Sequence, residues 1–224
     1  MWMESSAMLA QIAIVAVPLL VAVVFHEVAH GVVAYACGDP TAARAGRLTL
    51  NPLPHVDPVG TVLLPGFLLL TSLAMGTRPF FFGWAKPVPI DPRWFRRGRL
   101  DWILVALAGP GTNFVLAVLS AIAYGWLARA GGTGATEVFL RSLAVQSVVI
   151  NCVLAVFNLL PVAPLDGGRV LAALLLAAGA RALRQLERVG LLVVVLLVTS
   201  TGILRTLVVP VIAACERVAQ RVAG

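Results

Sequence analysis

Two imidazoles and a carboxylate stand together in His26-Glu27-Val28-Ala29-His30, inside an otherwise apolar run from Met8 to Ala36. On a helix, residues four apart share a face, so His26 and His30 can aim ring nitrogens at one metal ion with Glu27 beside it. The chemistry open to that set is hydrolysis, with zinc as Lewis acid and Glu27 as general base. Ionisable groups at membrane depth cost roughly 2.5 kcal/mol or more each on insertion scales, and ordinary core packing gives no reason to place three in five residues.

Two histidines leave a catalytic zinc one protein ligand short. Asp166 is the strongest candidate for the third, within Asn158-Leu-Leu-Pro-Val-Ala-Pro-Leu-Asp-Gly-Gly168. Pro161 and Pro164 must break a helix there, and Gly167 and Gly168 permit the sharp turn that would present a carboxylate. An Asp before Gly is also ordinary turn chemistry, and it is the histidine pair that favours ligation. His55 and Asp57, in a proline-rich loop, are competing donors better suited to supporting the ligands or gating substrate. Glu4, Glu137, Glu187 and Glu216 lie at the ends of apolar runs, as solvated charges do. Cys37, Cys152 and Cys215 show no paired Cys-x-x-Cys spacing and read as small apolar fillers.

The elements that must position these groups follow from composition. Hydrophobic residues make up 60% of the chain and charged residues 12%, and mean hydropathy is +0.95, which excludes a soluble globular domain. Runs long enough for membrane helices are Met8 to Ala36, Trp102 to Leu127, Val138 to Leu160 and Val189 to Ala214. Val59 to Met75 and Val170 to Ala180 are shorter, and suit tilted helices, re-entrant segments or halves of a broken helix. The expected fold is therefore an all-α polytopic membrane protein, with about six membrane helices or half-helices. Residues 1–224 form a single membrane domain, because no polar block reaches the roughly 50 residues a separate soluble domain needs. The first run lacks a basic amino-terminal region and a cleavage site, so it is expected to stay in the mature chain.

The net charge of +7 does not indicate nucleic acid, since the basic residues form no patch interleaved with stacking aromatics. Arg78, Lys86, Arg93, Arg96, Arg97 and Arg99 cluster in one connection, which the positive-inside rule assigns to the cytoplasm. Arg181, Arg184 and Arg188 compete for the same side. Trp84 and Phe80 to Phe82 in that connection suit a headgroup-level anchor. Upstream, Gly38 to Pro58 is rich in turn formers, and Arg47-Leu48-Thr49-Leu50-Asn51 has the alternation of a short edge strand. At membrane depth such backbone survives only against protein or a water-filled cavity, so this small edge-strand or re-entrant element is expected beside the active site. There it could recruit an extended substrate by strand addition.

The pairing of His-Glu-x-x-His with Asn-x-x-Pro-x-x-Pro-x-Asp-Gly resembles the site-2 protease family of intramembrane zinc metalloproteases. Gly109-Pro-Gly-Thr-Asn113 is similar to that family's Gly-Pro-x-x-Asn element, so the resemblance extends over most of the chain. It implies one Zn2+ held by His26, His30 and Asp166, with Glu27 as general base and Asn158 orienting substrate or oxyanion. Asn113 becomes a candidate substrate contact, with helix packing as its alternative role. The resemblance further implies substrates that are single-span membrane proteins or signal-peptide remnants, in a bacterial or archaeal cytoplasmic membrane. The chain has no room for the PDZ or CBS modules of fuller members and matches the compact form. Two other classes compete: a divalent-cation transporter using the same intramembrane groups, and a non-catalytic scaffold with a structural zinc. Transport sites usually lie between related repeats, and no internal repeat is visible.

Overall fold

The computed structural model describes residues 2–76, 83–175, 190 and 201–224. Among them the chain is helical, and three helices are long and apolar enough to cross a membrane. These are α1 (Trp2–Ala36), whose apolar span runs Leu9–Ala36, α4 (Arg99–Arg129) and α5 (Ala135–Asn158). Between α1 and α4 come the single turn α2 (Thr41–Arg44) and a π-helical turn, Pro58–Leu63, that runs into α3 (Leu64–Ala74). After α5 the chain forms α6 (Asp166–Leu174) and, beyond Gly202, α7 (Ile203–Ala223).

Helix is the dictated form for these runs, because lipid offers the backbone no partner and a helix satisfies its N–H and C=O groups internally. Pro18 and Pro110 lie inside α1 and α4 without ending them. The expected span Val170 to Ala180 is helical only as far as Leu174, and 176–180 lie outside the described residues. Of the expected span Val189 to Ala214, residues 189 and 191–200 also lie outside them. Its described end, α7, continues past Ala214 to Ala223.

Helix α4 is the hub, packing against α1, α5, α6 and α7. Where α4, α5 and α7 meet, the buried residues are mostly small: Ala117 and Ala121 from α4, Val148 and Cys152 from α5, Cys215 and Ala219 from α7. A Cβ at Gly125 would stand 2.6 Å from the carbonyl oxygen of Ala219. Small side chains let helix backbones approach where the lipid supplies no hydrophobic drive. The three cysteines are free and buried, as expected of fillers. Arg141 of α5 closes the C-terminal end of α4 by donating to the carbonyl oxygen of Leu127 (2.8 Å), one of those a helix end leaves unpaired, and ties it to the following connection by donating to that of Gly132 (2.8 Å). At the other end, the Asp101 carboxylate accepts from the Arg97 backbone N–H (2.7 Å), inside the first turn where negative charge is favoured.

The expected edge strand is absent among the described residues. Arg47 to Asn51 has no strand partner among the described residues, because its polar groups are spent locally: Asn51 N–H donates to Thr49 Oγ1 (3.1 Å) and Leu53 N–H to Asn51 Oδ1 (3.1 Å). Such side-chain turns compete with ladder formation, and Pro52 and Pro54 follow at once. The extended backbone beside the site is instead Gly83 to Ile90. Trp84 N–H donates to the Gly60 carbonyl (3.2 Å) and Lys86 N–H to that of His55 (2.9 Å). This strap is pinned further by Arg47, which donates to the Lys86 carbonyl (2.6 Å), and by buried Asp39, whose Oδ2 accepts the Asp91 N–H (2.7 Å).

Candidate metal centre and active site

Helix α1 carries His26, Glu27 and His30, with both histidine rings on the face turned to α4. A hydrogen-bond acceptor fixes each ring. His30 Nδ1 lies 2.7 Å from the Val105 carbonyl oxygen, which can only accept, so Nδ1 carries the proton. His26 Nδ1 lies 2.6 Å from Asn113 Oδ1. The orientation of that amide is dictated in turn, because Asn113 Nδ2 must donate to the carbonyl oxygen of Ala22 (3.2 Å) and also reaches Asn151 Oδ1 (2.8 Å). His26 Nδ1 is therefore a donor as well. In the neutral rings both Nε2 atoms present lone pairs, the form in which imidazole binds a metal.

Those two Nε2 atoms are 3.0 Å apart, and Asp166 Oδ2 lies 3.2 Å from each. Asp166 is brought there by the broken segment after α5. A Cβ on Gly167 would overlap the carbonyl of Leu159, and one on Gly168 would stand 2.6 Å from Ala163 N, so only glycines let the start of α6 fold back on the end of α5. Asp166 thus opens α6 with its carboxylate facing the histidine pair. Its Oδ2 is buried and makes no hydrogen bond. Three acceptor atoms converge with no proton assigned among them, in a site where His26, His30 and Asp166 are 7%, 3% and 4% exposed. Electrostatics require a cation or an added proton at their centre. Two imidazoles and one carboxylate are a zinc donor set, and these residues fit that ion.

A cavity of about 140 Å³ opens on the cluster, bounded by His26, Glu27, His30 and Asp166, by Asn158 at the end of α5, by Arg169 of α6, and by Pro87, Val88 and Ile90 of the strap. Glu27 Oε2 accepts the Val88 N–H at 2.8 Å. Asn158 Nδ2 donates to the Leu154 carbonyl (3.0 Å), and its side chain borders the cavity. Asn113 is fully buried behind His26, where it holds a ring and does not face the cavity.

His55 and Arg47 to Asn51 stand outside the cluster. His55 is buried, its Nε2 donating to the Thr49 carbonyl (3.0 Å), and with Arg47 it braces the strap. Asp57 caps the π-helical turn, accepting from Val59 N (3.0 Å) and Gly60 N (2.7 Å). Val88, Arg169 and Asn151 touch the cluster or its partners and were not singled out from sequence. Asn151 and Arg169 carried a signal, since a polar residue within an apolar run marks a function or a partner. Val88 carried none, because what it contributes is a backbone N–H.

The chain is 42% identical over 195 residues to "Putative zinc metalloprotease YwhC" of Bacillus subtilis (strain 168), an overlap of 83% of this chain and 80% of that protein. The chain belongs to peptidase family M50. The profile described as "Peptidase family M50" matches residues 133–200, which hold α5 and the Asp166 turn. A further relative, "Putative zinc metalloprotease Rip2" of Mycolicibacterium smegmatis, is 32% identical over 186 residues, covering 83% of this chain and 66% of its own length. No solved structure matches. As an M50 member with membrane-spanning helices the protein is a zinc metalloprotease, which decides against the transporter and scaffold readings.

Proposed function

We propose that this M50 protein is an intramembrane zinc endopeptidase that hydrolyses peptide bonds in or near the transmembrane segment of membrane-anchored substrates. The observation carrying this reading is the convergence of two imidazole Nε2 atoms and an unpartnered carboxylate oxygen beside α4, an apolar helix long enough to span. His26, His30 and Asp166 would hold one Zn2+, which supplies the Lewis acid that polarises a peptide carbonyl and acidifies water. Glu27, bordering the same cavity, takes the proton from the attacking water and returns it to the leaving amine. Asn158, which also lines the cavity, is suited to orient the substrate carbonyl.

A substrate helix keeps its carbonyls bonded internally, so it must unwind locally before one can reach the site. The working form is a single multi-pass domain in a bacterial cytoplasmic membrane, and its substrates are single-span proteins or signal-peptide remnants. The test is purification of the full chain in detergent, metal analysis, and incubation with single-span peptides beside Glu27→Gln. One zinc per chain in both proteins, with cleavage by the wild type alone, is the expected result. Cleavage by the Glu27→Gln protein would remove Glu27 from the reaction, and absence of zinc would remove the metal centre.

A further inference from the structure

We infer that Arg169 is a positioning residue for the metal centre: it holds one oxygen of Asp166 so that only the other is offered to the ion. This rests on the reading of His26, His30 and Asp166 as the zinc ligands.

The Asp166 carboxylate is divided between two tasks. Its Oδ2 faces both histidine Nε2 atoms at 3.2 Å and has no hydrogen-bond donor, whereas Oδ1 accepts from Arg169 Nη1 at 3.1 Å. The pair sits three residues apart in the first turn of α6, a spacing that by itself is worth little when both ends are in water. Here the ends differ. The Asp166 side chain is 5% exposed and that of Arg169 38%, so the arginine reaches in from the cavity to a carboxylate that has lost its water.

Two features keep the arginine from wandering. Its guanidinium lies 5.9 Å from the centre of the Trp102 ring on α4, within cation–π range. The turn carrying both residues is fixed by Gly167 and Gly168 against the backbone of 159–163. A carboxylate can bind zinc through one oxygen or both, and two-oxygen binding takes up a position that hydrolysis needs for solvent. Engaging Oδ1 with a cationic donor disfavours the second mode. It also compensates the negative charge of a carboxylate that otherwise faces only lone pairs, and outer partners of this kind orient ligands at many metal sites.

The experiment uses the full-length protein in detergent, loaded with Co2+ in place of zinc, and reads visible absorption, which reports coordination number. Wild type is expected to show the intense bands of a four-coordinate ion. Arg169→Gln should bind cobalt with weaker bands shifted towards five-coordination, and its zinc form should lose about 10- to 100-fold in kcat. Arg169→Lys, which keeps a cationic donor, should recover most of the wild-type spectrum. In an Asp166→Ala background, Arg169→Gln should leave the spectrum unchanged, because its effect runs through the carboxylate. A wild-type spectrum in Arg169→Gln would overturn the proposal while leaving the metal centre standing. Cobalt binding by Asp166→Ala with the wild-type spectrum would overturn the ligand assignment and this proposal together.

Discussion

Gly109 of α4 stands directly against the imidazole pair of α1: a Cβ built on it would lie 2.5 Å from both His26 Cε1 and His30 Nε2. One turn further along the helix, Asn113 bonds His26 Nδ1. The Gly-Pro-x-x-Asn element therefore has a physical reading. Its glycine clears the space in which the metal ligands sit, and its asparagine sets the tautomer of one of them.

Gly109→Ala should then damage the centre by crowding its ligand atoms. Overpacking costs typically 1–3 kcal/mol, and here the side chains that must yield are the ligands themselves. The expected outcome is a zinc content well below one per chain and at least a tenfold loss of peptidase activity, with the helical circular dichroism retained. Gly111→Ala is the control, because a Cβ at Gly111 meets nothing within 4 Å. Equal zinc content in the two variants would show that the close approach does not matter.

Behind His26 runs a polar relay across three helices, buried at Asn113 and Asn151 and half-buried at Ser147 and Ser120. Asn113 donates to Asn151 Oδ1 (2.8 Å), Asn151 donates to the Ser147 carbonyl (2.9 Å), and the Ser147 and Ser120 hydroxyls meet at 2.8 Å. Asn113→Leu removes the acceptor of the ligand histidine and should weaken zinc binding about 10- to 100-fold, measured by competition with a chelator of known affinity. Asn151→Leu sits one bond further away. It should cost about 0.6 kcal/mol of stability, the average for an interhelical bond in a membrane, and weaken zinc binding less than Asn113→Leu does. A larger zinc defect in Asn151→Leu would place control of the ring elsewhere.

The parts of this arrangement legible in sequence are those where residue type and short spacing together state the chemistry. His26, Glu27 and His30 are set by one helical turn, and Asp166 by a Pro-x-x-Pro-x-Asp-Gly-Gly run that can only be a break. The strap was not legible. Its contacts join Val88 to Glu27 and Lys86 to His55, residues 61 and 31 positions apart, through backbone groups that every sequence possesses. The edge strand expected at Arg47 to Asn51 failed for a related reason: alternation describes one strand, whereas pairing needs a second, and Thr49 and Asn51 had already engaged the backbone in turns. Arg141 and Asp101 were readable as charges near helix ends, but not as the groups that close α4.

Metal removal should be reversible and pH-linked. Imidazole and carboxylate bind zinc only when deprotonated, so protons compete with the ion. Acidification should release zinc and activity together, and raising the pH in the presence of zinc should restore both. A strong chelator at neutral pH should abolish cleavage, with recovery on adding one equivalent of zinc. Paired assays of bound zinc and peptide cleavage across pH check this, and activity persisting in metal-free protein would contradict it.

The strap makes a final, separable prediction. Val88 lies between Pro87 and Pro89, neither of which has an N–H, so the bond from Val88 N to Glu27 Oε2 at 2.8 Å is the only one these three residues can donate. A hydrogen bond to a charged group contributes about 1.5–3 kcal/mol, and losing this one frees the general base to turn away from the cavity. Val88→Pro deletes the donor while keeping an extended, apolar residue; Val88→Ala keeps the donor and trims the side chain. The proline variant should bind a full complement of zinc yet lose roughly 10- to 100-fold in kcat, following from that energy. The alanine variant should stay within a few-fold of wild type. If both lose activity equally, the side chain of Val88 and not its backbone is what the site uses, and Glu27 must be oriented by another group.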